Sequence, residues 1–112
     1  MDKQKELMEL ERIYREIHRV CEINLYDYKS PNLEFSRKVV YASLTLFNYG
    51  FKLSRPHLFT NLPNITMGKI KEILLSIYQI LTGIYFYDEK EQKIKELLIK
   101  HSLNPNELLT TK

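Results

Sequence analysis

Apolar residues recur at intervals of three and four along most of the chain, a spacing that predicts amphipathic helices. The first predicted helix covers about residues 3–21. Its apolar stripe consists of Leu7, Leu10, Tyr14, Ile17 and Cys21, with Ile13 and Val20 beside it. The pattern stops in the segment "EINLYDYKSPN", where Pro31 keeps Ser30 out of the helical region.

The second predicted helix covers about residues 33–48, with Val40, Leu44 and Phe47 on its apolar face. Gly50 follows two residues later and is expected to act as the C-terminal cap, because glycine accepts the backbone conformation that ends many helices.

A short third helix is predicted from Ser54, because serine is a favoured N-cap and Pro56 is tolerated in a first turn. Its expected buried face consists of Leu58, Phe59 and Leu62. Pro63 would end it.

Thr66 is the expected N-cap of a fourth helix over residues 67–82, which Gly83 would close. The seam of this helix consists of Met67, Ile70, Leu74, Ile77 and Leu81. Other apolar residues surround the seam, so we expect the second half of this helix to be central and buried.

Asp88 and Glu91 have the spacing of a capping box for a fifth helix over residues 89–101. That helix carries Ile94, Leu97, Leu98 and His101. A last short turn is predicted at Asn104-Pro105, and the segment "GIYFY" (83–87) is predicted to be a linker packed by its aromatic residues, because a lone strand would have no partner.

These elements predict one compact all-α domain over residues 1–112, a bundle of about five helices. A helix-turn-helix-like unit is expected at about 54–82, since a short helix precedes a long one there, and a C-terminal helical extension at about 88–110.

The composition, with 44% hydrophobic and 28% charged residues, is typical of a globular domain. No apolar run is long enough for a membrane span, and the single cysteine fits a reducing compartment, so a cytoplasmic location is expected. His18, Cys21 and Glu22 lie one turn apart, but without a second ligand cluster a buried thiol is the preferred interpretation. No catalytic set, metal site or cofactor motif is apparent, and we expect no enzymatic activity.

The net charge of +3 is concentrated in the middle of the chain. Residues 23–87 hold seven Lys or Arg and three Asp or Glu, a balance of +4, whereas the segments before and after balance at −1 and 0. A basic region is the expected footprint of a surface that binds nucleic acid phosphates. The candidate residues are Arg37, Lys38, Lys52, Arg55, Thr66, Gly68, Lys69 and Lys71.

The run "EIHRVCEINLYDYKSPNLEFSRKVVYASLTLFNYGFKLSRPHLFTNL" resembles the C-terminal DNA-binding domain of the bacterial replication initiator DnaA, a TrpR-like helix-turn-helix. The resemblance covers roughly residues 10–82. It places the family's loop at "INLYDY", its basic triplet at Ser36-Arg37-Lys38, and its short helix at Ser54 with Leu58 in an isoleucine position. It implies that Arg37 contacts phosphate in double-stranded DNA, assisted by Lys38 and Lys69.

The chain departs from this family where the family reads bases. The signature Gly-Gly-Arg-Asp-His-Thr-Thr is replaced by residues 63–69, "PNITMGK", and these 112 residues do not include an ATP-binding domain. The resemblance therefore does not imply recognition of a replication origin. It implies only the fold and the phosphate contacts.

The aromatic residues favour a second hypothesis, a protein–protein interaction module. The candidate interface is Tyr85, Phe86 and Tyr87, with Tyr26 and Tyr28 as further loop aromatics. Such residues also suit stacking on single-stranded bases. The first helix, with its heptad-like seam, would either pair with a copy of itself or pack on its own domain.

Overall fold

The computed structural model describes residues 2–110, and within that range the chain is helical without strands. The helices are α1 (Lys3–Leu25), α2 (Leu33–Ser54), α3 (Met67–Thr82), α4 (Tyr87–Lys100) and α5 (Pro105–Leu108). The predicted all-α class is therefore confirmed, and α1 and α2 are longer than expected.

Side-chain caps start three of these helices. Asp2 accepts a hydrogen bond from the backbone N–H of Gln4, and Thr66 accepts one from that of Lys69 at 3.2 Å. Asn104 caps α5 in the same way. The predicted caps at Thr66 and Asn104 are confirmed.

The capping box predicted at Asp88 and Glu91 is wrong, because α4 begins two residues earlier than expected. Phe86 is the N-cap of α4, and it makes no side-chain capping bond. Asp88 instead lies in the first turn, where its negative charge is favourable at the positive end of the helix dipole.

Two side-chain contacts and one reversal of the chain define how the helices are arranged. Gly50 near the end of α2 lies against Leu10 near the start of α1, so these two helices are antiparallel. Lys71 Nζ lies 2.6 Å from a carboxylate oxygen of Glu9, which places the start of α3 beside the start of α1. Chain reversal after α3 then brings α4 back along α3.

The core is formed by one continuous cluster from all five helices. From α1 it takes Leu10, Ile17 and Cys21 of the predicted stripe, all at most 2% exposed, whereas Tyr14 of that stripe is only half-buried. The first helix therefore packs on its own domain, and its seam is occupied by α2 and α3.

The predicted core face of α2 is wrong. Leu44 is exposed and Val40 and Phe47 are only half-buried, whereas the buried face is Phe35, Ser36, Val39, Ala42, Ser43, Leu46 and Gly50. Small residues dominate this face, and Gly50 lies inside the helix instead of ending it. They allow α2 to approach α1 closely, as a built methyl group at Gly50 would overlap Leu10 Cδ1.

The third helix predicted from Ser54 is not formed. Ser54 is the last residue of α2, and its hydroxyl donates to the carbonyl of Phe51. Only a single 3₁₀ turn, Pro56–Leu58, follows, and Leu58 is 63% exposed instead of buried. The connector up to Thr66 is longer than the three or four residues of a helix-turn-helix, which the structure therefore does not confirm.

The linker before α4 is confirmed as non-strand, but it is not packed by its aromatic residues. Ile84 is fully exposed and Phe86 is 81% exposed. Tyr85 and Tyr87 are less exposed, at 43% and 37%, and the ring edge of Tyr87 lies against Phe35 at 5.4 Å between centroids.

Candidate interaction surface

The predicted nucleic-acid-binding residues fall into two groups at opposite ends of α2. Arg37 and Lys38 lie near its start, whereas Lys52 and Arg55 lie at its end. Because α2 is uninterrupted, Arg37 and Lys52 are separated by about 22 Å along the helix axis. The segment between Lys38 and Lys52 contains no Lys or Arg.

Several of these cations already have partners. Arg37 pairs with Glu34 at 3.3 Å and Lys71 with Glu9 at 2.6 Å, while Lys69 lies 3.9 Å from Glu72. Lys71 therefore serves the α1–α3 contact. The pair holds the pKa of the Glu9 carboxyl below its usual value through a hydrogen bond and the charge of Lys71.

Near the connector, Arg55 lies over the ring of Phe51 at 4.6 Å and Lys52 lies 5.8 Å from the ring centre of Phe59. Thr66 is engaged as the cap of α3, and Gly68 is exposed with open space around it. Lys52, Arg55, Thr66, Gly68 and Lys69 thus share the connector end of the bundle, without Arg37 or Lys38.

The opposite end is built from two loops that meet at Tyr87. Asn24 donates to the Tyr87 hydroxyl at 3.3 Å, and Ser30 donates to the side-chain oxygen of Asn24 at 3.0 Å. The ring of Tyr87 also packs on Phe35 at the start of α2. These contacts tie the α1–α2 loop to the start of α4.

Lys90 strengthens this junction from the side of α4. Its ammonium donates to the backbone carbonyl of Leu81 in the last turn of α3 at 2.8 Å and lies 4.9 Å from the ring centre of Tyr87. A cation at the C-terminal end of a helix is favoured by the helix dipole. The linker between α3 and α4 is therefore held at both ends.

Five large apolar side chains at this end, one in the last turn of α1 and four on the two loops, point into solvent, and we call them the aromatic end: Ile23, Tyr26, Tyr28, Ile84 and Phe86. Ile84 is fully exposed, and the other four are between 78% and 81% exposed. Soluble proteins rarely leave this many large apolar side chains open in one region unless the surface binds something.

Of the predicted interface residues, Phe86 belongs to this surface and Tyr87 supports it from inside. Tyr85, which precedes both in the chain, is 43% exposed and has the Lys93 ammonium 4.6 Å from its ring centre. Ile84, Tyr85, Phe86 and Glu89 line a shallow depression of about 230 Å³.

Charged residues surround the aromatic end without pairing inside the described part of the chain. Lys29, Asp88 and Glu89 are exposed, and none forms an ion pair with another residue of the range 2–110. Both signs of charge are therefore available at the rim of the apolar surface.

The sequence did not single out Ile23 or Ile84. Ile23 was assigned to a break after the first helix, although α1 continues to Leu25. The signal available for Ile84 was a four-residue apolar run between Gly83 and Asp88 that lacked a partner strand.

Among residues 2–110, no group of three or more His, Cys, Asp or Glu residues is placed to hold a metal ion. Cys21 is buried in the core, and this burial raises the pKa of its thiol to about 11 against a smaller opposing effect of Lys90. No helix in this range has the length and apolar character needed to cross a membrane.

Comparison of the chain with protein families, with curated proteins and with solved structures found no match. The resemblance to the DnaA domain therefore stays a prediction from sequence, and the geometry of the chain itself carries the functional interpretation.

Proposed function

We propose that this protein is a helical interaction module that binds a protein partner through the aromatic end. The observation that carries the proposal is the exposure of Ile23, Tyr26, Tyr28, Ile84 and Phe86 at one end of the bundle. Aromatic residues are enriched in protein interfaces, because they bury a large area with few rotatable bonds.

The support around these residues suits an interface. Tyr87, Asn24 and Ser30 join the two loops by hydrogen bonds, and Lys90 fixes the linker to α3. A surface held in place before binding loses less conformational entropy when the partner arrives. The aromatic end therefore combines exposed apolar area with a fixed base.

Nucleic-acid binding is the competing hypothesis, and the distribution of cations makes it the second choice. Docking the first turn of α3 into a groove would use Lys52, Arg55 and Lys69, whereas Arg37 and Lys38 lie some four turns away along α2. With no confirmed helix-turn-helix, the basic residues alone support this hypothesis.

The two hypotheses are separated by placing a photo-crosslinking amino acid at Ile84 or at Lys52 of the full chain in its native cells. Ile84 makes no intramolecular packing that the probe would disturb, since it is fully exposed. We expect strong covalent protein adducts from position 84 and at most weak nucleic-acid adducts from position 52.

A probe at Ile99 is the matched control, because Ile99 is an exposed isoleucine (63%) about 20 Å along α4 from Phe86. Adducts at 84 that are no stronger than those at 99 would contradict the proposed function. Nucleic-acid adducts at 52 together with no protein adducts at 84 would favour the competing hypothesis.

A further inference from the structure

The aromatic end is large enough for a specific protein interface. Tyr26, Tyr28 and Phe86 are each about four fifths exposed, which leaves roughly 350–600 Å² of aromatic surface in solvent. Ile23 and Ile84 add to this area. Each partner in a standard-size interface contributes about 800 Å², so this end alone approaches what one side of a stable dimer needs.

The same end carries both a projecting part and a receiving part. Tyr26 and Tyr28 project from the α1–α2 loop, whereas the depression lined by Ile84, Tyr85, Phe86 and Glu89 lies on the α3–α4 linker. Its volume of about 230 Å³ is below the ~300–1,000 Å³ of typical small-molecule pockets. It therefore suits a single large side chain better than a ligand.

The projecting part and the depression also carry charges of opposite sign at their edges. Lys29 follows the two projecting tyrosines, and Glu89 forms part of the wall of the depression. Neither is in an ion pair with another described residue. When the projecting loop enters a depression of this kind, its lysine is brought towards an available carboxylate.

We infer that the partner of the aromatic end is a second copy of this chain, related by a two-fold axis. Because projecting loop and depression occur on one patch, each copy supplies both halves of the contact, which closes the assembly as a dimer. In this arrangement a loop tyrosine of each copy fills the depression of the other, and Lys29 of each copy faces Glu89 of the other. This inference rests on the proposed function.

Sedimentation velocity of the full chain, from micromolar to submillimolar concentration, tests the inference. We expect a reversible monomer–dimer equilibrium. Ile84→Glu is expected to raise the dimer dissociation constant at least tenfold, because it places a charge in the apolar contact, while Ile99→Glu, on α4 away from this end, leaves it unchanged.

A charge exchange tests the two-fold arrangement. Lys29→Glu and Glu89→Lys each put like charges together and are expected to weaken the dimer several-fold, whereas the double variant restores opposite charges and recovers most of the affinity. Circular dichroism checks that each variant remains helical.

The inference is overturned by a wild-type chain that stays monomeric throughout, by a dimer that Ile84→Glu leaves intact, or by a double variant no better than the single ones. The proposed function is judged separately by the crosslinks at position 84. Adducts to a different protein would keep the proposed function and overturn the second copy, whereas no adducts would remove both.

Discussion

At the scale of single residues, two buried hydroxyl groups stand out. Ser36 and Ser43 are at most 1% exposed, and neither side-chain oxygen has a hydrogen-bond partner among residues 2–110. A buried polar group without a partner costs about 1–3 kcal/mol, since it loses its hydrogen bonds to water. These serines make no compensating hydrogen bond, and their contribution is their small size, which lets α2 approach α1.

We predict that Ser43→Ala raises the free energy of unfolding by about 1 kcal/mol, because it removes the unpaired hydroxyl while keeping a small side chain. Urea denaturation measures the change. Ser76→Ala in α3 is the control for helix propensity alone, as Ser76 is only half-buried. A gain at Ser43 no larger than that at Ser76 would contradict the prediction.

The thiol of Cys21 makes stability depend on pH. Burial raises its pKa from 9.0 to about 11 in the folded chain, so between these values the folded state holds a proton that the unfolded state has lost. The stabilisation is therefore fully present below pH 9 and is lost as the pH rises through 11.

We predict that the wild-type chain loses about 2 kcal/mol of stability between pH 8 and pH 11 relative to Cys21→Ala, which lacks the titrating thiol. Denaturation curves for both proteins at each pH give this difference, and the titrations that the two chains share cancel. Parallel pH profiles for the two proteins would contradict the prediction, because they would mean that Cys21 has the same pKa in the folded and the unfolded chain.

At the scale of elements, the closest helix contact is that of α2 with α1 at Gly50. Ser36, Ser43 and Gly50 recur every seven residues and lie on one face of α2. A glycine inside a helix costs about 1 kcal/mol relative to alanine, so its presence is explained by the contact with Leu10.

We predict that Gly50→Ala lowers the free energy of unfolding by about 1 kcal/mol, because overpacking against Leu10 outweighs the gain in helix propensity. In a Leu10→Ala background the same substitution should instead stabilise the chain, since the clash is gone. Thermal or urea unfolding of the four proteins completes the cycle. The same sign in both backgrounds would contradict the contact.

Helix boundaries were predictable where a local cap determines them and were missed where the core does. Thr66 caps α3 through its own neighbour, and the start of α3 was placed correctly. Gly50 and Ser54 carry the local signals of an end and a start, yet both lie within α2, because packing along α1 stabilises the continued helix.

At the scale of the whole molecule, the separation of the cations limits how strongly a duplex would be held. The charge balance of residues 23–87 was read correctly from the sequence, but its seven cations do not surround the connector. Phosphate contacts from the connector end would come from Lys52, Arg55 and Lys69.

We predict weak binding of duplex DNA, with a slope of log affinity against log salt no steeper than about −3, since at most three of the predicted cations act together. Fluorescence anisotropy over a salt series measures it. Arg37→Glu should leave the slope unchanged. A steeper slope that falls in both Arg37→Glu and Lys52→Glu would instead indicate one continuous basic surface.

The sequence by itself determined the helical class, the stripe of α1, the seam of α3 and two of the caps, because these depend on spacing within one element. Only the tertiary structure decided that Gly50 is interior, that the short third helix is absent, and that the loops at Tyr28 and Phe86 share one end. These features depend on contacts between segments that are far apart in the chain, and the spacing of residues within one element does not specify such contacts.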